Sequence, residues 1–328
     1  MTIADGAPTT LAPVPGNPFT TSGTWYRGSP HNHTVASDGI HTVAELSAWY
    51  RGQGMDFVVI TDHDVVADVS DHGVDDLLVI PGAEIVVCWD EAFGGEVLCL
   101  GIDEVKRKGV HAQDVIDDAL DQGGLPYISH PHLSGVYSGL MMDLEGLVGI
   151  EVFNSGGAHH GNRGFATVHL DDLMAAGKLV WALASGDRHR IGTRKPSAWV
   201  QVRSEANTRE AIIEAMRQGH YYSTTGPEIH DISFDDEHLT VRCSEARRVT
   251  FSSLPWLSKK VDAEGDDRIT EATVQLHQIG SPRRLRTFIK ALVRNGNLSG
   301  PKEVRPHVRV EIDDGEGGYA WSNPIVIP

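Results

Sequence analysis

The chain has 328 residues and a formal net charge of −17, from 28 Lys and Arg against 45 Asp and Glu. That balance excludes a surface built to neutralise a nucleic-acid duplex. Three cysteines (Cys88, Cys99 and Cys243) with no C-x-x-C pair exclude a disulfide scaffold, and the unusual count is seventeen His.

Residues 1–24 read as a Pro-, Thr- and Gly-rich lead-in, without the basic start and apolar run of a signal peptide. A helix is predicted over 42–52, where Thr42 and Glu45 form a capping box. The apolar run Phe57-Val58-Val59-Ile60 predicts a strand, and residues 77–80 predict the next. A helix over 112–122 stops at Gly123-Gly124, and a short strand follows at Tyr127-Ile128. Residues 150–153 predict another strand, 164–176 a helix ended by Gly177, and 179–183 a strand. A fourth helix follows Asn207-x-x-Glu210 and ends at Gly219. Such alternation implies an α/β fold with mostly parallel strands, open or closed into a barrel.

After residue 228 the pattern changes to period two. Leu239, Val241 and Cys243 alternate with polar residues, as do Val308, Val310 and Ile312, and 288–293 is a further strand candidate. A small antiparallel β-sandwich-like domain is expected over 228–328, beside a first domain over 25–227. Fourteen His precede residue 231, so the chemistry is expected in the first domain. The longest apolar runs are strand-length, so no membrane partner is expected and a cytoplasmic protein acting on a small-molecule substrate is.

The strongest local signal is His31-Asn32-His33, followed by Asp38-Gly39. Two His at i and i+2 on an extended segment point to one side and can share a metal. Asp62 and His63 follow the 57–60 strand, with Asp62 read as a cap and His63 as a ligand. Glu84 follows the 77–80 strand, His130 and His132 follow Tyr127-Ile128, Asn154 ends the 150–153 strand, and Asp187 and His189 follow 181–184. If these strands are parallel, their ends converge on one mouth, as α/β folds build their sites. This mix of imidazole and carboxylate suits hard and borderline divalent cations. The remaining His, such as His41, His72, His111, His169 and His220, sit singly and are read as solvated or structural, and Cys88 and Cys99 as small apolar residues.

The series H-x-H-x4-D-G, T-D-H, P-G-x-E, S-H-P and S-G-D-x-H resembles the PHP (polymerase and histidinol phosphatase) superfamily. Trp25-Tyr26-Arg27-Gly28, Glu151-Val152-Phe153-Asn154, the stretch 211–223 and Ala320-Trp321-Ser322-Asn323-Pro324 look like its carbaryl-hydrolase branch, the CehA/McbA type. The resemblance covers residues 25–328. It implies a distorted (β/α)7 barrel with two or three divalent ions (Zn, Mn or Fe) at its mouth. His31, His33, Glu84 and Asp187 would hold one ion. Glu84 would bridge to a second, shared with His130, and Asp38, His63 and His189 would hold a third. Ser29-Pro30 departs from the family pattern before the first His, and a His expected after the Glu84 strand is replaced by Gly95-Glu96-Val97-Leu98. Either Glu96 takes that place or the second ion is held weakly. A hairpin residue beside apolar runs is ordinarily solvated, and that reading is preferred for Glu96.

The implied activity is a phosphoesterase in which hydroxide generated at the metals attacks phosphorus in small phosphate esters. Leaving-group protonation needs an acid that is not a ligand, and His132, His159 and His160 are the candidates. Arg188, placed between Asp187 and His189, is the best fork for a phosphate, with Arg163 and Arg190 behind it. A carbamate or carboxylic-ester hydrolase with the same metals is the alternative, suggested by the branch likeness and by Trp89, Phe93 and Tyr137. A non-catalytic binding module with closed structural metals ranks third.

Overall fold

The computed structural model describes residues 16–89, 94–192, 197–254, 257–280 and 306–327. The strand expected at 288–293 and Phe93 lie outside them. Strands in the first part are β1 (Thr24–Ser29), β2 (Phe57–Ile60), β3 (Leu78–Cys88), β4 (Gly94–Leu100), β5 (Val110–His111), β6 (Leu125–Ile128), β7 (Gly149–Asn154), β8 (Trp181–Ser185), β9 (Trp199–Ser204) and β10 (Tyr221–Thr224). There follow β11 (Ile229–Phe234), β12 (His238–Ala246), β13 (Arg248–Ser252), β14 (Lys259–Asp262), β15 (Ile269–Gln275), β16 (His307–Asp313), β17 (Tyr319–Ser322) and β18 (Ile325–Val326).

Helices are α1 (Val43–Gly52), α2 (Ala112–Asp121), α3 (Pro131–Ser134), α4 (Ser138–Met141), α5 (Ser155–His159), α6 (Thr167–Ala175), α7 (Arg209–Arg217) and α8 (Leu276–Gly280). The capping box of α1 forms as the sequence implies, with Thr42 and Glu45 bonding reciprocally. Two predicted helix starts move. Residues 164–166 run antiparallel along β7, with Asn154 N donating to Gly164 O and Ala166 N to Val152 O, so α6 begins only at Thr167. Thr208 rather than Asn207 caps α7: Thr208 Oγ1 accepts from Ala211 N at 3.3 Å, while Asn207 Nδ2 donates to Asp56 O.

This is a mixed α/β fold built on one large sheet, in the order β14-β13-β16-β17-β10-β9-β1-β2-β3-β4-β6-β7-β8. β1, β2 and β3 are mutually parallel, and so are β6, β7 and β8. β4 lies antiparallel between the two sets. The predicted strand at 77–80 is therefore longer than expected. It pairs parallel with β2 through Pro81, then continues antiparallel to β4 as far as Cys88. Glu84 consequently sits inside a strand, not after one.

Backbone pairing does not close this sheet into the expected (β/α)7 barrel. The Asp-rich segment 62–77 joins β2 to β3 without a helix, and the next strand, β4, pairs antiparallel with β3. The outer edge of β8 is met by side chains instead of a strand. Ser223 Oγ accepts from Ala184 N at 2.8 Å and donates to Ala182 O at 2.9 Å, while Asn323 Oδ1 accepts from Ala182 N at 2.8 Å. This seam of three hydrogen bonds brings the far side of the sheet round to β8.

The strands after residue 228 pair antiparallel throughout the described residues. β13, β14, β16 and β17 extend the large sheet, and β11, β12 and β15 form a second sheet. One apolar core lies between them, including Ile232, Leu239, Val241, Phe251, Val308 and Val310. Arg309 crosses to the first part: it is 3% exposed and forks onto Asp171 of α6 at 2.8 and 3.0 Å. No described helix is long and apolar enough to cross a membrane.

Candidate metal centre

The ends of β1, β2, β6 and β8 and the middle of β3 meet at one place. β1 hands over to His31 and His33, which are fully buried. The segment is seated by Asn32, whose side chain donates to Val59 O and accepts from Tyr50 Oη, and by Asp62. Asp62 accepts from Thr34 N at 2.7 Å, Thr34 Oγ1 at 2.6 Å and Ser37 Oγ at 2.6 Å. Asp62 thus braces the loop that connects His33 to Asp38.

Glu84 is the hub. Its Oε2 lies 3.1 Å from His31 Nε2, 3.3 Å from His33 Nε2 and 3.4 Å from His63 Nδ1, and its Oε1 lies 3.1 Å from His130 Nε2. Asp187 Oδ1 is 3.2 Å from His33 Nε2 and 3.5 Å from His31 Nε2. His189 Nε2 lies 3.2 Å from Asp38 Oδ2, and His63 Nε2 lies 3.7 Å from the same oxygen. All eight residues singled out as ligands are therefore together. Their donor atoms fall into three overlapping groups: His31, His33 and Glu84; His33, Asp38, His63 and His189; and His63, Glu84 and Glu96.

Glu96 corrects the preferred sequence reading. It is not a solvated hairpin residue: β4 aims it inward, to 3.5 Å from both His63 Nδ1 and His130 Nε2. Its location on β4, paired with β3 opposite Val86, could not be read while the strand carrying Glu84 was expected to end before it.

These residues fit divalent cations. Glu84 Oε1 and Asp187 Oδ1 are buried without a hydrogen-bond partner, although imidazoles stand within about 3 Å. The facing Nε2 atoms of His31 and His33 are 3.0 Å apart and need a proton or a cation between them. Without a cation, protons do this work. Burial alone would lower the imidazole pKa values. The nearby carboxylates outweigh it, holding His31 well above its usual range and pushing His33 and His130 up to about 9. Glu84 and Asp187 are lowered, because the charged imidazoles outweigh their desolvation. Glu96 moves the other way, up to about 7, through burial and the negative charge of Glu84. His63 is lowered, chiefly by desolvation.

Backbone strain collects here too. Asp64, His130 and Asp187 have φ of 55°, 22° and 48°, a region that residues with a Cβ rarely occupy. Gly156 leaves room for the result, since a Cβ there would stand 2.8 Å from Asp187 Oδ2.

A cavity of about 430 Å³ opens beside the cluster. Asp187 and His189 form one wall, and Arg188, Arg190, His159 and His160 line the rest with Ser155 and Ser197. Arg188 stacks over Trp49 at 4.8 Å and donates to Arg190 O. Of the four residues expected to act on substrate, His159, His160 and Arg188 thus line the cavity. His132 does not: its Nδ1 is held 2.9 Å from Phe165 O.

One buried residue was missed. Glu151, on β7, is fully enclosed and touches both His31 and His130. The signal was present, because a single carboxylate inside the apolar run Ile150–Phe153 requires buried partners.

Residues 169–248 match the model of a family of proteins of unknown function, DUF3604. No curated protein matches the chain. Among solved structures it is similar to a two-domain protein from Bacteroides vulgatus, named for a PHP-like metal-dependent phosphoesterase. That match has 15% identity, 83% of this chain and 90% of the other covered, and a TM-score of 0.49. It is also similar to an amidohydrolase from Chromobacterium violaceum, at 14% identity, 59% and 96% coverage and a TM-score of 0.43. A third is a proposed metal-dependent phosphoesterase from Bifidobacterium adolescentis, at 16% identity, 51% and 89% coverage and a TM-score of 0.39. None reaches 25% identity or a TM-score of 0.5, and none says what this chain acts on.

Proposed function

We propose that this chain is a metal-dependent phosphoesterase that hydrolyses small phosphate esters in the cavity beside Asp187 and His189. The observation that carries this reading is the convergence of nine imidazole and carboxylate side chains, with buried acceptors left unbonded, beside a cavity that two of them, Asp187 and His189, line together with Arg188 and Arg190. His31, His33, Glu84 and Asp187 would hold one ion, Glu84, Glu96, His63 and His130 a second, and Asp38, His63 and His189 the exposed outer position. Divalent ions bound there supply Lewis-acid polarisation and acidify water, which the protein's own groups do not.

The chain's residues supply the rest. Arg188 and Arg190 offer planar forks that match phosphate oxygens and offset a net charge that would otherwise repel them. His159 and His160, at the end of α5, present imidazoles on the cavity side and can give a proton to a departing alkoxide. The cavity is open at the cluster, which argues against a closed structural site. An arginine-lined cavity also suits a phosphate better than a neutral carbamate. The test is metal analysis of the purified protein together with a panel of phosphate esters, carboxylic esters and carbamates. Phosphate-ester turnover that Asp187→Ala abolishes along with metal content is expected. Turnover of carboxylic esters or carbamates alone would refute the substrate class, and full turnover in the Ala variant would refute the site.

A further inference from the structure

Glu151 has no part in the function proposed so far, yet three donors converge on it. His31 Nδ1 lies 2.9 Å from Oε1. The backbone N–H of His130 and the side-chain amide of Asn154 both donate to Oε2, each at 2.8 Å. Asn154 in turn accepts from Gly157 N at 2.8 Å, at the start of the loop that presents His159 and His160. Both Glu151 and Asn154 are fully buried.

We propose that Glu151 is a positioning residue that fixes the proton of His31 on Nδ1, and so turns Nε2 into a cation ligand. The proposal rests on the divalent-metal reading of the site. A carboxylate accepts and does not donate. Facing Glu151 Oε1, Nδ1 must therefore be the protonated nitrogen of a neutral imidazole. Nε2, 3.1 Å from Glu84 Oε2 and 3.0 Å from His33 Nε2, keeps the lone pair. The same carboxylate holds the His130 N–H, and with it a residue at φ 22° that the chain would otherwise relax. One carboxylate thus sets the orientation of ligands from two different strand ends.

Glu151→Gln tests this with almost no change of shape. An amide has one accepting end. Two donors compete for the Oε2 position and one for the Oε1 position, so the amide oxygen settles toward His130 and Asn154. Its NH2 then faces His31 Nδ1, which can only accept, and the His31 proton is driven to Nε2. Zn(II) titration by calorimetry is expected to show binding about 10–100-fold weaker than wild type, with a native circular dichroism spectrum. Glu151→Asp keeps two accepting oxygens and should recover part of that loss.

Wild-type protein labelled with 15N-histidine and loaded with Zn(II) provides a measurement that needs no variant. Long-range 1H–15N correlations should show His31 protonated at Nδ1 and metal-shifted at Nε2. The reverse assignment overturns the proposal. Unchanged Zn(II) affinity in a folded Glu151→Gln protein overturns it too, while leaving the metal reading in place. A wild-type protein that takes up no Zn(II) overturns both.

Discussion

Removing one oxygen atom at the seam should loosen the site from behind. Ser223 Oγ satisfies two backbone groups on the free edge of β8, the N–H of Ala184 and the C=O of Ala182. All three residues are fully buried, so Ser223→Ala leaves both groups without a partner and gives water no route to them. Each unsatisfied buried group costs about 1–3 kcal/mol, so for the two together a loss of about 2–6 kcal/mol is expected. The methyl left behind is smaller than the hydroxymethyl group, so steric strain adds nothing. β8 runs directly into Asp187, so weaker Zn(II) binding should accompany the loss of stability. Urea unfolding followed by circular dichroism measures the first, and calorimetric titration the second. Asn323→Ala should behave similarly, since its Oδ1 holds the Ala182 N–H of the same edge. A Ser223→Ala protein within about 0.5 kcal/mol of wild type, the scatter of ordinary surface changes, would show that these bonds do not close the sheet.

Metal binding should depend steeply on pH. His33 and His130 are pushed up to about 9 without a cation, so at pH 7 protons occupy nitrogens the ion needs. Affinity should therefore rise with pH, about tenfold per unit between 7 and 8 for each proton displaced, and flatten above 9; a flat profile from 7 to 9, with no protons released in calorimetry, would contradict it. Gly156→Ala puts a methyl 2.8 Å from Asp187 Oδ2, and about tenfold weaker Zn(II) binding with little change in unfolding is expected. Arg188→Ala should raise KM for phosphate esters at least about tenfold, the worth of one charge-assisted hydrogen bond, and leave metal content unchanged; an unaltered KM would remove Arg188 from substrate binding.

How much of this was legible in the sequence differs from residue to residue. His63, His130, Asp187 and His189 could be placed because each follows an apolar run, and parallel strands bring such ends together; His31 and His33 were legible from their i, i+2 spacing on an extended segment. Glu84 was found for a partly mistaken reason: it was expected just beyond a strand and sits within one that changes partners at Pro81-Gly82. That change of partner is a tertiary event with no local signature, and it also hid Glu96. The open sheet was equally hidden. Whether β8 meets a strand or the side chains of Ser223 and Asn323 depends on residues about 40 and 140 positions away. Local signals did better for α1, where the capping box lies within one turn.

The left-handed backbone at Asp64, His130 and Asp187 has a consequence for how this chain can change over generations. Glycine is the residue that such a conformation favours, and each substituted position costs about 1 kcal/mol or more in folding. Asp187→Gly should relax that strain while discarding a carboxylate that the cluster needs. Selection for stability and selection for chemistry therefore pull in opposite directions at this position. A screen that rewards only folded protein would drift toward glycine there, and a screen that rewards turnover would hold the aspartate.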